Sequence, residues 1–128
     1  MTKSLKNSML LALTFCASLG VAAAHADVFE VVSAPIADGV TVEQMRAADA
    51  PVGMFVSKLP GFISRENGVS VKEDGISPGN EWFVIVRWDT IEHAQEAAKL
   101  LGPTAAAAGM MKTMQADKIF FRHYTLLK

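Results

Sequence analysis

Residues 82–88 constrain the fold of this chain more than any other segment, because six of their seven side chains are apolar. Aromatic and β-branched residues without glycine or proline predict a β-strand, and successive side chains of a strand point to opposite faces of its sheet. The two tryptophans and two valines therefore share one face, while Phe83 and Ile85 lie on the other with Arg87. Since an antiparallel sheet with one wet face alternates apolar and polar residues, both faces of this strand require a cover.

The other segments predict the order β-α-β-β-α-α-β. The predicted strands are residues 28–34, 62–66, 81–88 and 119–127. The predicted helices are residues 42–59, a second helix from Asp89-Thr90 to Gly102-Pro103, and a short third helix from Thr104. Thr41 and Gln44 have the spacing of a capping box, and Pro51 predicts a kink inside the first helix. We expect residues 67–80 to form a long, partly extended hairpin connection.

This order predicts an α+β fold of the ferredoxin-like, split β-α-β type, with a four-stranded antiparallel sheet. Right-handed crossovers place all the helices on one face of that sheet. The second apolar face then needs another cover, and a second copy of the same sheet supplies one. The sequence therefore predicts a homodimer in which two sheets face each other.

The first 26 residues have the three-part pattern of a secretory signal peptide. Lys3 and Lys6 precede an apolar run over residues 9–24, and Ala24-His25-Ala26 offers small residues at the cleavage site. This run is shorter than the roughly 20 residues of a spanning helix, so an uncleaved membrane anchor is the alternative that we favour less. We expect cleavage after Ala26, export to the periplasm or medium, and one domain over residues 27–128.

Composition excludes several classes of protein. The net charge of −1 leaves no basic excess to neutralise phosphates, which argues against nucleic-acid binding. The single cysteine, Cys16, lies in the predicted leader and rules out a disulfide framework. His93 and His123 are not at metal-ligand spacing, so we predict no metal site. A P-loop and a GxSxG elbow are also absent from the sequence.

Three stretches of the chain resemble one known family. They are Phe55 with residues 59–62, residues 82–90 with Glu92, Ala94 and Ala97-Ala98, and residues 121–124. On these residues the chain resembles the dimeric α+β barrel superfamily, and within it the antibiotic-biosynthesis-monooxygenase-like (ABM-like) group. The resemblance covers nearly all of residues 27–128. It implies two sheets packed face to face as a barrel, and a pocket in each subunit between sheet and helices.

Haem-degrading members of the same superfamily carry an asparagine on the first strand, a tryptophan ending the third, and a haem-ligating histidine on the helix that follows. Trp88 matches the tryptophan. Residues 28–33 contain no asparagine, and residues 104–115 contain no histidine. Two of the three elements are missing, so the sequence argues against haem degradation, and we predict no cofactor.

The resemblance implies cofactor-independent oxygenation of a polycyclic phenol. Such a protein supplies a base, a dry pocket and a hydrogen bond to the developing oxyanion. His123 is the candidate base, and Arg122 or Tyr124 is the candidate oxyanion partner. Alternatively, His123 is a hydrogen-bonded structural residue of its strand.

An apolar pocket with a few polar groups is typical of a small-molecule site. The candidate ligand-binding residues are Trp82, Trp88, Phe120, Met110 and Met114. As alternatives, the tryptophans are core or interface residues and the methionines fill the core. Asp49 beside Pro51 either belongs to the helix kink or points a carboxylate into the pocket.

Two functions stay open at this point. The first is a cofactor-independent monooxygenase acting on a small aromatic compound. The second is a non-catalytic periplasmic binding or protective module for a hydrophobic ligand, which the predicted export and the few polar candidates favour.

Overall fold

The computed structural model describes residues 27–127. It contains four strands and three α-helices in the predicted order: β1 (Val28–Pro35), α1 (Val42–Val56), β2 (Phe62–Val71), β3 (Pro78–Trp88), α2 (Ile91–Leu101), α3 (Ala105–Met111) and β4 (Phe120–Thr125). A single 3-10 turn, Ala116–Lys118, precedes β4. The predicted signal peptide, residues 1–26, lies outside the described residues.

The four strands form one antiparallel sheet in the order β2-β3-β1-β4. The two hairpin-linked strands β2 and β3 lie beside the two terminal strands, which is the split β-α-β arrangement. The predicted α+β, ferredoxin-like fold is therefore confirmed. Strands β2 and β4 are the two edges of the sheet.

The hydrophobic core lies between the helices and one face of the sheet. On the sheet side it contains the alternate residues of β3 that the sequence predicted to share a face, and the helices contribute residues at helical spacing. These buried residues are Trp82, Val84, Val86 and Trp88 from β3, and Met45, Val52, Val56, Ala94, Ala97 and Met110 from the helices. Phe83 and Ile85, on the opposite face, are half-buried, and Arg87 is exposed.

The helix starts follow the predicted capping residues. Thr41 and Gln44 form a reciprocal capping box, with the Gln44 amide donating to the Thr41 hydroxyl at 3.1 Å and the Thr41 amide donating to the Gln44 side chain at 2.8 Å. Thr90 caps α2 by accepting from the His93 amide. These side chains satisfy amides that the first helical turn leaves without partners.

The predicted long connection over residues 67–80 is wrong in extent. β2 continues to Val71 and β3 begins at Pro78, so residues 72–77 alone join the two strands. Asn67-Gly68 is not a turn, because both residues pair with β3. Gly68 lies under the Phe83 ring, where an added Cβ would come within 2.6 Å of the ring. β4 is also shorter than predicted.

The turn before β2 packs tightly against the start of α2. Gly61 has a φ of +79°, and an added Cβ would lie 2.3 Å from both the Asp89 carboxylate and the His93 ring. Asp89 bonds the ring nitrogen of His93 at 2.6 Å, and that hydrogen bond holds the pKa of Asp89 below its usual value. Glycine is therefore required here both for its backbone angle and for its missing side chain.

Within residues 27–127, no helix has the length and apolar character needed to cross a membrane.

Candidate functional site

A cavity of about 190 Å³ lies between the sheet and the helices. All three helices and three strands of the sheet contribute apolar side chains to its wall. The apolar lining is Val32, Val84, Val86 and Phe121 from the sheet, Val52, Val56, Ala98, Leu101, Ala107, Met110 and Met111 from the helices, and Met114 and Ile119 from the segment before β4. Two charged residues, Glu30 on β1 and Arg65 on β2, also reach this wall.

Arg65 is bound by a buried carboxylate. Its two terminal nitrogens donate to the two oxygens of Asp49, at 2.7 and 2.5 Å. The Asn67 side-chain amide donates to the same carboxylate at 2.5 Å. Asp49 lies on the buried stripe of α1 and has no solvent exposure. Its carboxylate therefore points into the interior, and three hydrogen bonds and one opposite charge compensate for its loss of water.

Glu30 forms the second polar pair of the site. Its carboxylate lies 3.0 Å from the His123 ring nitrogen, with 12% and 22% of the two side chains exposed. Burial raises the pKa of Glu30 above its usual value, while the His123 hydrogen bond and the positive charges of His123 and Arg65 act in the opposite direction. A carboxyl that keeps its proton to higher pH beside an imidazole is a candidate for acid–base chemistry.

The three predicted catalytic residues do not meet in one chain. His123 lies opposite Glu30 in the β1–β4 ladder, on the face that the helices cover. Arg122 and Tyr124 are its neighbours in sequence, so they point to the other face. Arg122 lies over the Phe120 ring on that face, 5.3 Å from the ring centre. Only His123 of the three is thus on the same side of the sheet as the cavity.

The predicted ligand-binding residues also separate into groups. Met110 and Met114 line the cavity. Trp82 and Trp88 are 2% and 1% exposed and lie at either end of the β3 segment whose valines form the cavity floor. Both indole nitrogens are buried without a hydrogen-bond partner among residues 27–127. Phe120 lies on the opposite face of the sheet.

Sequence reasoning missed Glu30 and Arg65. The alternation of β1 carried a signal for Glu30, since an acid occupies the face shared by Val28 and Val32. Arg65 had no such signal. A β-bulge between Phe62 and Ser64 shifts the register of β2, so that Phe62 and Arg65 face the same side although an odd number of positions separates them.

Removal of the Asp49 charge tests the buried ion pair. We expect Asp49→Asn to lower the free energy of unfolding by about 3 kcal/mol, because Arg65 would remain buried without a countercharge. Asp27→Asn is the matched control, since the Asp27–Arg87 pair is 34% and 44% exposed and should contribute less than about 1 kcal/mol. Urea unfolding of both variants measures the difference. Equal losses would contradict the role of the buried pair.

Comparison with known proteins finds similar structures, but no similar family or curated sequence. No family model and no curated protein matches the chain. A variant of SnoaB, a cofactor-independent oxygenase from Streptomyces nogalater, aligns with a TM-score of 0.65 and 15% identity, over 80% of this chain and 94% of its own. A dimeric ferredoxin-like protein of unknown function from Thermobifida fusca gives 0.62 and 12%, over 79% and 92%.

A hydroxynitrile lyase from Passiflora edulis aligns with a TM-score of 0.59 and 12% identity, over 81% of this chain and 96% of its own. Proteins with different activities therefore share this architecture, and at such identities the likeness establishes the fold alone. The chain has the α+β ferredoxin-like fold that it shares with a cofactor-independent oxygenase and with dimeric proteins of unknown function.

Proposed function

We propose that the protein binds a small aromatic or hydrophobic compound in the cavity between sheet and helices and removes a proton from it. The volume of about 190 Å³ supports a ligand of one or two rings, since an apolar cavity of roughly 150 Å³ binds benzene. The lining is apolar apart from Glu30 and Arg65. A ring with one hydroxyl group fits such a wall, because its apolar edge meets the valines and methionines while the hydroxyl meets the carboxyl.

The observation that carries this proposal is the position of Glu30. Its carboxyl reaches the cavity, its pKa is raised by burial, and it bonds the His123 ring. Glu30 accepts the hydroxyl proton of the ligand, and His123 stabilises the charge on the carboxyl or takes up the proton in turn. In this scheme His123, which the sequence suggests as the base, acts through Glu30. Arg65 adds positive charge that favours the ligand anion.

Cofactor-independent oxygenation is the reaction class that we propose for the deprotonated ligand, and the likeness to SnoaB supports it. A deprotonated hydroxyarene is electron-rich enough to reduce dioxygen by itself. One oxygen atom enters the ring, and the other leaves as water with the hydroxyl hydrogen and one ring hydrogen, so that hydroxyarene and dioxygen give quinone and water. The protein then needs to supply only the base, the positioning and a site from which water is excluded.

A non-catalytic binding module is the second candidate function. The Asp49–Arg65 hydrogen bonds favour it, because they occupy both terminal nitrogens of the arginine and leave Glu30 as the main polar group of the lining for a ligand. Such a protein would hold its ligand in the cell envelope without turnover. Product analysis separates the two candidates, since only the enzyme consumes oxygen.

We also propose that residues 1–26 direct export and are removed, on the strength of their signal-peptide pattern. Expression of the full chain in a Gram-negative host should give a periplasmic protein whose intact mass begins at Asp27. A full-length protein retained in the cytoplasm or in the membrane fraction would contradict this proposal.

Ligand binding is tested with 1-naphthol, and naphthalene serves as the ligand without a donor group. The two tryptophans of the chain flank the cavity floor, so 1-naphthol should change their fluorescence. Ala107→Phe fills part of the cavity and should weaken binding about tenfold, or about 1.4 kcal/mol. Ala105→Phe, at an exposed position of the same helix, is the matched control. Equal affinities of these two variants for 1-naphthol would show that the ligand binds outside this cavity. Oxygen uptake together with quinone formation would identify the protein as an enzyme.

The raised pKa of Glu30 predicts a dependence of stability on pH. Above pH 4.5, the usual pKa of a glutamate, the folded protein keeps the Glu30 proton while the unfolded chain loses it. The native state thus binds more protons in this window, so its free energy of unfolding falls as the pH rises. Glu30→Gln removes this contribution, and the variant should gain stability relative to wild type from pH 4.5 upward until the folded carboxyl ionises. A difference that stays constant with pH in urea unfolding would contradict the assignment.

A further inference from the structure

Three methionines lie in the wall of the cavity, and they differ in how far solvent reaches them. Met110 and Met114 are 8% and 6% exposed, whereas Met111, the last residue of α3, is 42% exposed. A thioether is apolar and polarisable, so all three side chains suit an apolar lining. Met111 is the one of the three that also presents its side chain to solvent.

The exposed part of the wall shows where the cavity opens. Among the lining residues, Ala98 on α2, Met111 on α3 and Phe121 on β4 are exposed. Phe121 is 47% exposed although it lies on the side of the sheet that the helices cover. We call these three residues the mouth of the cavity. Met111 therefore belongs to the part of the wall that a ligand passes on its way in.

The thioether of an exposed methionine reacts with peroxides, and its susceptibility follows its exposure. Hydrogen peroxide transfers one oxygen atom to the sulfur, so that methionine and peroxide give methionine sulfoxide and water. The sulfur loses the two electrons that the peroxide gains. Methionine sulfoxide is polar, and dedicated reductases convert it back to the thioether.

Exposure alone does not distinguish Met111 from Met54. Met54 is 64% exposed, but it lies on α1 and is not part of the cavity wall. Within residues 27–127, Met111 is the methionine that combines exposure with a place in the lining. Oxidation of both residues changes the surface of the protein, whereas oxidation of Met111 also changes the cavity.

We infer that Met111 is a reversible oxidation site, and that its conversion to the sulfoxide by a peroxide lowers the affinity of the cavity for apolar ligands. The sulfoxide oxygen binds water at a mouth whose other members, Ala98 and Phe121, are apolar. An apolar ligand displaces that water without replacing its hydrogen bonds, and this loss weakens binding. The inference rests on the ligand binding proposed above, but it is independent of the proton transfer and the oxygenation.

Peptide mass spectrometry after graded treatment of the folded protein with hydrogen peroxide tests the site itself. The two exposed methionines should each gain one oxygen about tenfold faster than the buried methionines Met45, Met110 and Met114. Saturating naphthalene should slow the oxidation of Met111 and leave that of Met54 unchanged, because Met111 alone of the two lines the occupied cavity.

Equilibrium dialysis with naphthalene, before and after peroxide treatment, tests the effect on binding. Naphthalene carries no hydroxyl group, so its affinity reports the apolar wall and not Glu30. Wild-type protein should lose about tenfold in affinity, or about 1.4 kcal/mol, and methionine sulfoxide reductases should restore it. Met111→Leu should keep its own starting affinity after treatment, because leucine carries no sulfur. Met54→Leu is the matched control and should lose affinity as wild type does.

The outcomes separate this inference from the proposed function. Oxidation of Met111 no faster than that of Met110 would overturn the inference alone, and so would a loss of affinity in Met111→Leu equal to that of wild type. Untreated wild-type protein that binds neither naphthalene nor 1-naphthol would overturn the proposed function together with the effect of Met111 on it. Circular dichroism before and after treatment verifies that the protein remains folded.

Discussion

The two-residue alternation of side chains along the strands is the constraint on which the rest of the structure depends. In β4 it directs Phe121 and His123 to the cavity side of the sheet and Phe120, Arg122 and Tyr124 to the face opposite the helices. One six-residue strand thus contributes to two surfaces. The same alternation in β3 puts the tryptophans and valines under the helices and leaves Phe83 and Ile85 for another partner.

The two polar pairs at the cavity differ in how fully their charges are satisfied. Asp49 accepts three hydrogen bonds and faces a guanidinium, so it serves structure. Glu30 has one imidazole partner, and burial shifts its pKa upward. A carboxyl that is incompletely compensated can exchange its proton with a ligand, whereas one held by three donors cannot do so without breaking them. This contrast supports Glu30, on β1, as the proton acceptor in the proposed function.

The sequence predicted the features of the fold that follow from local pattern. The element order, the apolar face of β3 and the threonine caps each rest on residues close together in the chain, and the structure confirms them. The predicted connection over residues 67–80 was too long, because pairing with the long β3 keeps Asn67 and Gly68 in an extended strand. Arg65 was not predicted because a β-bulge changes the face of the sheet to which it points. His123 and Arg122 are neighbours in sequence but point to opposite faces of the sheet, so they do not share a site.

The Asp49–Arg65 pair also shapes how such a cavity can diverge between lineages. Asp49 lies on α1 and Arg65 on β2. Replacing both residues one substitution at a time must pass through an intermediate in which one buried charge has no partner. That end of the cavity is therefore slow to change. Ala98, Leu101 and Met111 line the same cavity with apolar side chains that form no ion pair. Each is replaceable in a single step, so new ligand preferences would arise first along α2 and α3.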